Sequence, residues 1–325
     1  MTRRDPITDV PARRALLALL AVVVAGCGDG LCHQDDVAEI AVPAGSRLNA
    51  VDLGYFQAHL AEGSMVAVGD DGLVLVASGG YALTEHRPVA VDLRAVAFGP
   101  GSQIFAAGAG GTLIRGQLDE STWQPIATGT TADLWRIAWL SVGTASTDGT
   151  PNREYVLAVG DGAVLVRDPV DAQWDLVPPP EGGWGRLRAI AGDDRIHVGG
   201  LGGVVWSTDD PRGTWTRQDV GTDADLLAGA TGWSGEAMLV GARGTIVHRP
   251  EGAWVVLAND IEDDFIDLDG VVGLTADGRL HDLVLPDEPE TLGWSAPGAR
   301  AIADDLEIVA VGAGMALRSA PYCGR

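Results

Sequence analysis

Short runs of apolar residues alternate with glycine-centred turns along almost the whole chain. Seven of these turns each lie between two apolar runs, as in VGDDGLVLV (68–76) and VGDGAVLVR (159–167). The second glycine of each turn falls at positions 72, 111, 162, 203, 244, 278 and 314. Strands joined by tight glycine turns are typical of antiparallel hairpins. Their recurrence at a period of about 40 residues predicts a β-propeller with one such hairpin in each blade.

Two further elements recur with each turn in the same order. A tryptophan follows five of the turns, at positions 123, 174, 215, 254 and 294. Four strand-like runs per unit make one four-stranded blade, and a radial arrangement of seven blades buries both faces of each sheet. The tryptophans are expected to pack between adjacent blades. A short apolar segment precedes each turn: LNAV from Leu48, LRAV from Leu93, LWRI from Leu134 and LRAI from Leu187, with weaker copies from Leu226, Ile266 and Ala299.

The last unit has three strand-like segments, at 299–303, 306–311 and 315–319, and no tryptophan strand. A candidate for the missing strand stands near the other end of the chain, at Val37 to Val42, followed by the Leu48 segment. We therefore predict an all-β, seven-bladed β-propeller of four-stranded blades, with the N-terminal strand completing the seventh blade. Closure of this kind removes an open sheet edge.

The first 27 residues have a different character. Four arginines, at positions 3, 4, 13 and 14, precede an apolar run from Ala15 to Ala25, which is too short to span a bilayer and ends in VAGC (24–27). This segment resembles the signal peptide and lipobox of bacterial lipoproteins, in which the cysteine is acylated and becomes the new N-terminus. The resemblance implies a signal peptide (1–26), a lipidated cysteine and tether (27–36) and a propeller (37–325), with a stable membrane anchor on Cys27. The alternative is an ordinary signal peptide with a chance cysteine.

Gly28 and Asp29 follow Cys27. The commonest inner-membrane retention signal has Asp directly after the cysteine, so a cell-envelope location on the outer membrane is favoured over the inner membrane. The two other cysteines, Cys32 and Cys323, flank the strands that close the ring, where other blades have a covalent hairpin turn. A disulfide between them is predicted in the oxidising envelope, with two free thiols as the alternative.

The repeat resembles BNR/Asp-box propellers, including those of the photosystem II stability-factor type, with a glycine turn, a strand and a Gly-x-x-Trp hairpin. The best match is STDDPRGTW (207–215), whereas LDESTW, DPVDAQW and RPEGAW keep few of the polar positions. In that family the Asp box is structural and lies on the face opposite the active site of sialidases. The resemblance therefore implies the fold and not an activity.

The chain carries 45 acidic and 22 basic residues, a formal charge of -23. This charge argues against a nucleic-acid partner and suits either a soluble surface alone or a cationic partner. Tyr155 and Glu154 are neighbours in a strand and point in opposite directions, so they form no glycosidase pair. A pair of carboxylates elsewhere is not excluded by spacing.

The six histidines have no metal-ligand spacing. DIEDDFIDLDG (260–270) resembles a calcium loop, but Phe265 occupies the place of the first Asp, which favours a solvated acidic loop over calcium binding. The sequence therefore predicts no catalytic residue, no metal site and no cofactor.

We expect a non-enzymatic, lipid-anchored, monomeric envelope propeller that binds a protein or peptide. The alternatives are a binder of envelope glycan or another small ligand, and a glycosidase- or lyase-type enzyme. The expected contact face bears the glycine turns and the loops between blades, where an acidic rim around an exposed tryptophan would suit a basic partner. A solvated rim with that tryptophan folded onto its own loop is the alternative. The candidate partner-binding residues are Trp184, Asp223, Asp225, Asp260, Glu262, Asp263 and Asp264.

Overall fold

Seven four-stranded antiparallel sheets form a ring in the computed structural model of this chain. The structure describes residues 38–54, 64–79, 82–118, 122–143, 153–168, 172–232, 235–284, 289–304 and 308–318. The first strand of each blade contacts the first strands of both neighbouring blades, so these seven strands are innermost. The predicted seven-bladed β-propeller is confirmed.

The strands follow the chain in order, four to a blade. Blade 1 comprises β2 (Leu48–Leu53), β3 (Ser64–Gly69), β4 (Val74–Ser78) and β5 (Thr84–His86). Blade 2 comprises β6 (Leu93–Phe98), β7 (Gln103–Gly108), β8 (Leu113–Gln117) and β9 (Gln124–Pro125). Blade 3 comprises β10 (Leu134–Val142), β11 (Arg153–Gly160), β12 (Val164–Arg167) and β13 (Trp174–Leu176). Blades 4 and 5 comprise β14 (Leu187–Gly192), β15 (Ile196–Gly200), β16 (Val204–Thr208), β17 (Thr216–Gln218); and β18 (Leu226–Thr231), β19 (Ala237–Gly241), β20 (Ile246–Arg249), β21 (Val255–Val256).

Blade 6 comprises β22 (Phe265–Asp269), β23 (Val272–Thr275), β24 (Arg279–Asp282) and β25 (Glu290–Ser295). Blade 7 comprises β26 (Ala299–Asp304), β27 (Ile308–Gly312), β28 (Met315–Arg318) and, from the N-terminal side, β1 (Ala38–Glu39). Tight turns, each with its middle residue in the left-handed region, lie in the loops at Asp70–Gly72, Pro100–Ser102, Ala109–Gly111, Ala242–Gly244 and Pro250–Gly252.

The ring closes as the sequence predicts. Ala38 pairs with Arg318 and Glu39 with Leu317, in antiparallel register, and the amide of Ile40 donates to the carbonyl of Ala316 over 2.8 Å. The N-terminal strand is therefore the outermost strand of blade 7. Cys27, Cys32 and Cys323 lie outside the described residues.

The glycine turns pack tightly against the loops that link one blade to the next. In blade 2, Gly111 has a φ of +71°, and a Cβ on it would lie 2.1 Å from the carbonyl oxygen of Thr130. A Cβ on Gly108 would lie 2.1 Å from the carbonyl oxygen of Asp92. No larger residue fits at such distances, which explains why glycine recurs at both positions. The turns and the loops between blades thus share one face of the ring, which we term the Gly-turn face.

The hydrophobic core consists of layers between adjacent blades. Trp215 is buried between blades 3 and 4, and Trp123, Trp174 and Trp254 are half-buried in the layers between blades 1 and 2, 2 and 3, and 4 and 5. Trp174 lies edge-on to Phe105 of the preceding blade, with ring centroids 5.5 Å apart. The predicted packing between blades is confirmed for these four tryptophans.

Candidate functional site

The seven innermost strands surround a central channel of about 890 Å³. Each of these strands shows a register shift between its first and third residues, which marks a β-bulge at the second residue. Bulges re-aim side chains, and all seven bulged residues line the channel near the Gly-turn face. We term this set the mouth ring; it comprises Asn49, Arg94, Trp135, Arg188, Leu227, Ile266 and Arg300.

One side of the mouth ring is a stack of two guanidinium groups on one indole. The guanidinium carbons of Arg94 and Arg188 lie 4.1 and 4.3 Å from the ring centroid of Trp135, within cation–π range. Arg94 forms an ion pair with Asp133 (2.5 Å), and Arg188 forms one with Asp161 (2.8 Å). These contacts hold two cationic side chains and an aromatic ring in fixed positions at the channel entrance.

Both carboxyl groups of this stack stay ionised. The hydrogen bond from the Gly110 amide and the contact with Arg94 lower the pKa of Asp133 below its ordinary value. Burial works in the opposite direction at Asp161, but the hydrogen bonds from Arg188 and Trp135 outweigh it and lower the pKa of Asp161.

The rest of the mouth ring divides into a polar and an apolar part. Arg300 donates to Oδ1 of Asn49 over 2.7 Å, and Nδ2 of Asn49 donates to Asp70 over 2.9 Å. Within the described part of the chain, Arg300 has no carboxylate partner. Blades 5 and 6 contribute Leu227 and Ile266. The channel entrance is therefore cationic, aromatic and polar on five blades and apolar on two.

An ion pair crosses the channel below the mouth ring. The third residue of the innermost strand is alanine in five blades, but it is Arg136 in blade 3 and Asp267 in blade 6. These two side chains form an ion pair, and Nη2 of Arg136 also donates to the carbonyl of Leu268 over 2.8 Å. Burial alone would lower the pKa of Arg136, but the carboxylate of Asp267 raises it. Because blades 3 and 6 are not neighbours, the pair links opposite walls of the channel.

A second carboxyl group, on the half-buried Asp52, lies deeper in the channel. Its oxygens accept hydrogen bonds from the amides of Phe98 (2.6 Å) and Leu53 (2.8 Å). Burial, together with the charge of Asp269, raises the pKa of Asp52 to about 8. Phe98 belongs to β6, the innermost strand of blade 2. Asp52 therefore satisfies the Phe98 amide, a backbone donor on the edge of β6 that faces the channel.

Two of the predicted partner-binding residues, Asp225 and Asp264, make structural contacts on the Gly-turn face. Oδ1 of Asp225 accepts a hydrogen bond from the amide of Gly202, and Oδ1 of Asp264 accepts one from the amide of Arg243, both over 2.8 Å. Each aspartate directly precedes an innermost strand and binds the glycine turn of the preceding blade. We term this contact the inter-blade latch; Asp92 and Asp133 make it as well. The signal in the sequence is an aspartate before the Leu or Phe that opens the innermost strand.

Four other candidates remain exposed on the Gly-turn face. Asp223, Asp260 and Glu262 make no hydrogen bond or ion pair within the described ranges, and Asp263 uses its backbone carbonyl to accept from Gly244 over 2.9 Å. They lie in the loops that lead into blades 5 and 6, beside the apolar part of the mouth ring. We term these four residues the acidic arc.

The expectation of an exposed tryptophan in this face is wrong. Trp184 is only 1% exposed, and it lies edge-on to Trp206 and Trp215, with centroids 6.0 and 5.2 Å away. Its Nε1 donates to the carbonyl of Val177 over 3.4 Å. Burial of this large apolar ring between blades 3 and 4 is favourable, so the loop folds it inward, which agrees with the alternative of a tryptophan folded onto its own loop.

The structure also places a serine, a histidine and an aspartate in one hydrogen-bonded chain. Nδ1 of His197 lies 2.6 Å from Oγ of Ser207, and its Nε2 lies 2.9 Å from Asp193. Burial lowers the pKa of His197, and Asp193 also forms an ion pair with Arg249 of the next blade. His197 is 0% and Ser207 1% exposed, so no substrate reaches them in this conformation. The chain joins blades 4 and 5.

Among the described residues, no group of three or more His, Cys, Asp and Glu side chains is arranged to hold a metal ion. A search of the same residues finds no helix with the length and apolar character needed to cross a membrane.

Known structures resemble this chain in fold. No protein-family model matches the sequence, and a search of curated proteins finds no match. YCF48 bound to a D1 peptide is 12% identical, with a TM-score of 0.64, and covers 87% of this chain and 96% of its own. Virginiamycin B lyase from Staphylococcus aureus (8% identity, TM-score 0.69) covers 87% of this chain and 97% of its own. The WD40 repeats of RRP9 (8% identity, TM-score 0.67) cover 90% of this chain and 99% of their own. These likenesses show the propeller fold.

Proposed function

We propose that this protein is a non-enzymatic, lipid-anchored propeller of the cell envelope that binds a segment of a protein or peptide on its Gly-turn face. The observation that carries the proposal is the mouth ring. Seven bulges direct three arginines, a tryptophan, an asparagine and two apolar side chains to one end of the channel. Arginine and tryptophan are enriched among residues that dominate the energy of protein interfaces.

The acidic arc extends this surface outward over blades 5 and 6. Its exposed carboxylates suit basic side chains of a partner whose apolar group contacts Leu227 or Ile266. Charges at the rim of an interface mainly steer the approach of the partner and select among partners. The peptide complex of YCF48, a propeller of the same architecture, supports a peptide partner.

The acid–base groups of the channel favour binding over catalysis. Arg136 and Asp267 pair with each other, and Asp52 accepts two backbone hydrogen bonds, so these groups are engaged in structural contacts. The serine–histidine–aspartate chain is buried away from the channel. These arrangements support a scaffold.

The test compares the capture of partners by two charge-matched variants in intact cells. A photocrosslinking amino acid is placed at Leu227, because its reaction does not require a lysine or a carboxyl group. The arc variant carries Asp223→Asn, Asp260→Asn and Glu262→Gln. The control variant carries Asp209→Asn, Glu251→Gln and Glu290→Gln, which removes the same number of exposed charges from other loops and edges. We expect several-fold less crosslinked partner with the arc variant and an unchanged yield with the control. Equal yields of crosslinked partner from the arc variant and the control variant would show that this face is not the binding site. Equal yields from wild type and from Arg300→Ala, which removes one arginine of the mouth ring, would show the same.

The volume of the channel also favours a second candidate, a binder of envelope glycan or another small ligand. A volume of about 890 Å³ lies within the range of known small-molecule sites, roughly 300–1,000 Å³. Glycan-array binding without turnover that is lost in Arg300→Ala would support this candidate over the peptide scaffold.

A further inference from the structure

The charges of the Gly-turn face are divided unevenly around the ring. The loops that lead into blades 5 and 6 carry the four exposed carboxylates of the acidic arc, and the turn of blade 5 adds one exposed arginine, Arg243. At the junction of blades 7 and 1, the turn VGAGM (311–315) has no charged residue. Arg47, which bridges to Ala313 of this turn, is exposed and stands where four other blades have the aspartate of the inter-blade latch. The face is therefore acidic over blades 5 and 6 and basic at the junction of blades 7 and 1.

Arg300 of the mouth ring belongs to this basic junction. Its Nη1 donates to Oδ1 of Asn49 over 2.7 Å. Nδ2 of Asn49 in turn donates to Asp70 over 2.9 Å and to the carbonyl of Leu93 over 3.0 Å, which fixes the amide group. Among the residues that the structure describes, none accepts a hydrogen bond from Nε or Nη2 of Arg300. The guanidinium is thus held by one nitrogen, and the edge formed by Nε and Nη2 stays open to the channel entrance.

Arg300 differs from the other arginines that line the channel. Each of these is paired with a carboxylate: Arg94 with Asp133, Arg136 with Asp267 and Arg188 with Asp161. An open guanidinium edge binds a carboxylate through two parallel, charge-assisted hydrogen bonds. Arg300 can therefore bind the carboxylate of a partner without displacing an ion pair within the protein.

The apolar part of the mouth ring lies between Arg300 and the acidic arc. Ile266 of blade 6 and Leu227 of blade 5 are both half-buried and follow Arg300 around the channel entrance. Neighbouring innermost strands have Cα atoms within 8 Å of one another. An extended chain rises about 3.3 Å per residue, so it crosses from one blade to the next in about two or three residues. A segment that lies along blades 7, 6 and 5 meets a cation, then two apolar side chains, and then carboxylates.

We propose that the bound segment of the partner has the complementary order: a carboxylate that pairs with Arg300, an apolar side chain on Ile266 or Leu227, and a basic side chain over the acidic arc. Two blades separate the charged ends of this pattern, which places them about five residues apart in an extended chain. The carboxylate is that of an acidic side chain or of the carboxyl terminus of the partner. This inference rests on the proposed function and names the chemical class of its ligand.

The probes are two libraries of random peptides displayed on phage, one fused to the coat protein through the carboxyl end and one with a free carboxyl terminus. The target is the chain without its signal peptide, with Cys27→Ser to keep it free of lipid. We expect the first library to yield peptides with an acidic, an apolar and a basic residue in this spatial order. If the terminus is the source of the carboxylate, peptides from the second library need no acidic residue and lose affinity when they are amidated.

The decisive measurement is a cycle of two changes, followed by fluorescence anisotropy with a synthetic selected peptide. Conversion of the peptide's carboxylate to an amide should weaken binding to wild type about tenfold, and Arg300→Gln should weaken binding of the unchanged peptide about as much. The two changes together should weaken binding no further, because each removes the same ion pair. Arg153→Gln is the control and should leave the affinities unchanged, because Arg153 is exposed at the start of β11 on the opposite face.

Two outcomes would overturn the proposal while leaving the binding face in place. One is a set of selected peptides whose affinity does not depend on a carboxylate. The other is a cycle in which the two losses multiply, because Arg300 would then contact the peptide through another group. If neither the arc variant nor Arg300→Gln weakens binding, the proposed function fails together with this inference.

Discussion

Replacement of the channel carboxyl group of Asp52 by an amide should change how the stability of the propeller depends on pH. Burial and the charge of Asp269 raise the pKa of Asp52 from 3.8 to about 8 in the folded protein. In the unfolded chain the same carboxyl group titrates near its ordinary value. Between these two values the folded state holds a proton that the unfolded state has lost, so the free energy of unfolding falls as the pH rises.

The size of the effect follows from the shift. One pKa unit corresponds to about 1.4 kcal/mol, so wild type should lose about 3–4 kcal/mol of unfolding free energy from this group between pH 5 and pH 8. Asp52→Asn does not titrate and should lack this contribution. Its Nδ2 cannot accept the hydrogen bond from the Phe98 amide, which should make the variant about 1 kcal/mol less stable than wild type at pH 5. The two stability curves should therefore cross as the pH rises.

The assay is urea unfolding at pH 5, 6, 7 and 8 of the chain without its signal peptide, with Cys27→Ser to keep it free of lipid. Asp260→Asn is the control, because it removes one exposed carboxylate outside the channel. Its stability should run parallel to that of wild type over this range. A curve for Asp52→Asn that is also parallel to wild type would refute the reasoning, because Asp52 would then titrate alike in the folded and unfolded chains.

Three further predictions concern the anchor, the core and the latch. Cys27→Ser should release the full chain from washed membranes, as fractionation and immunoblotting would show, and a variant that still sediments with membranes after high-salt washing would contradict lipid anchoring. Trp215→Ala should lower the unfolding free energy by about 3–5 kcal/mol, because a buried indole is removed from the layer between blades 3 and 4. If the variant unfolds at the same temperature as wild type, the packing of Trp215 contributes little to stability. Asp225→Ala should cost about 1 kcal/mol through loss of the bond to Gly202, while Asp225→Asn, which keeps the acceptor oxygen, should cost less; equal losses in urea unfolding would argue against the latch.

The local repeat predicted most of the fold because each blade obeys the same short-range rules. The predicted segments of the last blade, at 299–303, 306–311 and 315–319, agree with β26 to β28 within a few residues. The repeat predicts that the apolar segment of blade 6 begins at Ile266, but the innermost strand begins one residue earlier, at Phe265. Phe265 takes the place of the leucine, pairs with Thr275 and is fully buried. An aromatic side chain fills the same core position, which a leucine-based pattern does not recognise.

The site was less predictable because its contacts join residues far apart in the chain. Arg136 and Asp267 are 131 residues apart, and only the closed ring brings them together. The repeat shows that these two positions hold charged residues where the other blades have alanine. Whether the two side chains meet depends on the number of blades in the ring, which the local repeat alone does not specify. The exposure of Trp184 depended on how one long loop packs against blade 4, which no periodicity specifies. The latch, by contrast, was visible as a recurring aspartate and could have been predicted.

The ion pair across the channel ties the protein to its present number of repeats. A propeller with six or eight similar blades would keep the same kind of hydrophobic layer between neighbouring blades. It would also turn Arg136 toward a different wall of the channel, away from Asp267. A buried charge that loses its partner costs about 3–5 kcal/mol, a large part of the stability of an ordinary domain. A single long-range pair thereby penalises changes in copy number that the repeat itself would tolerate.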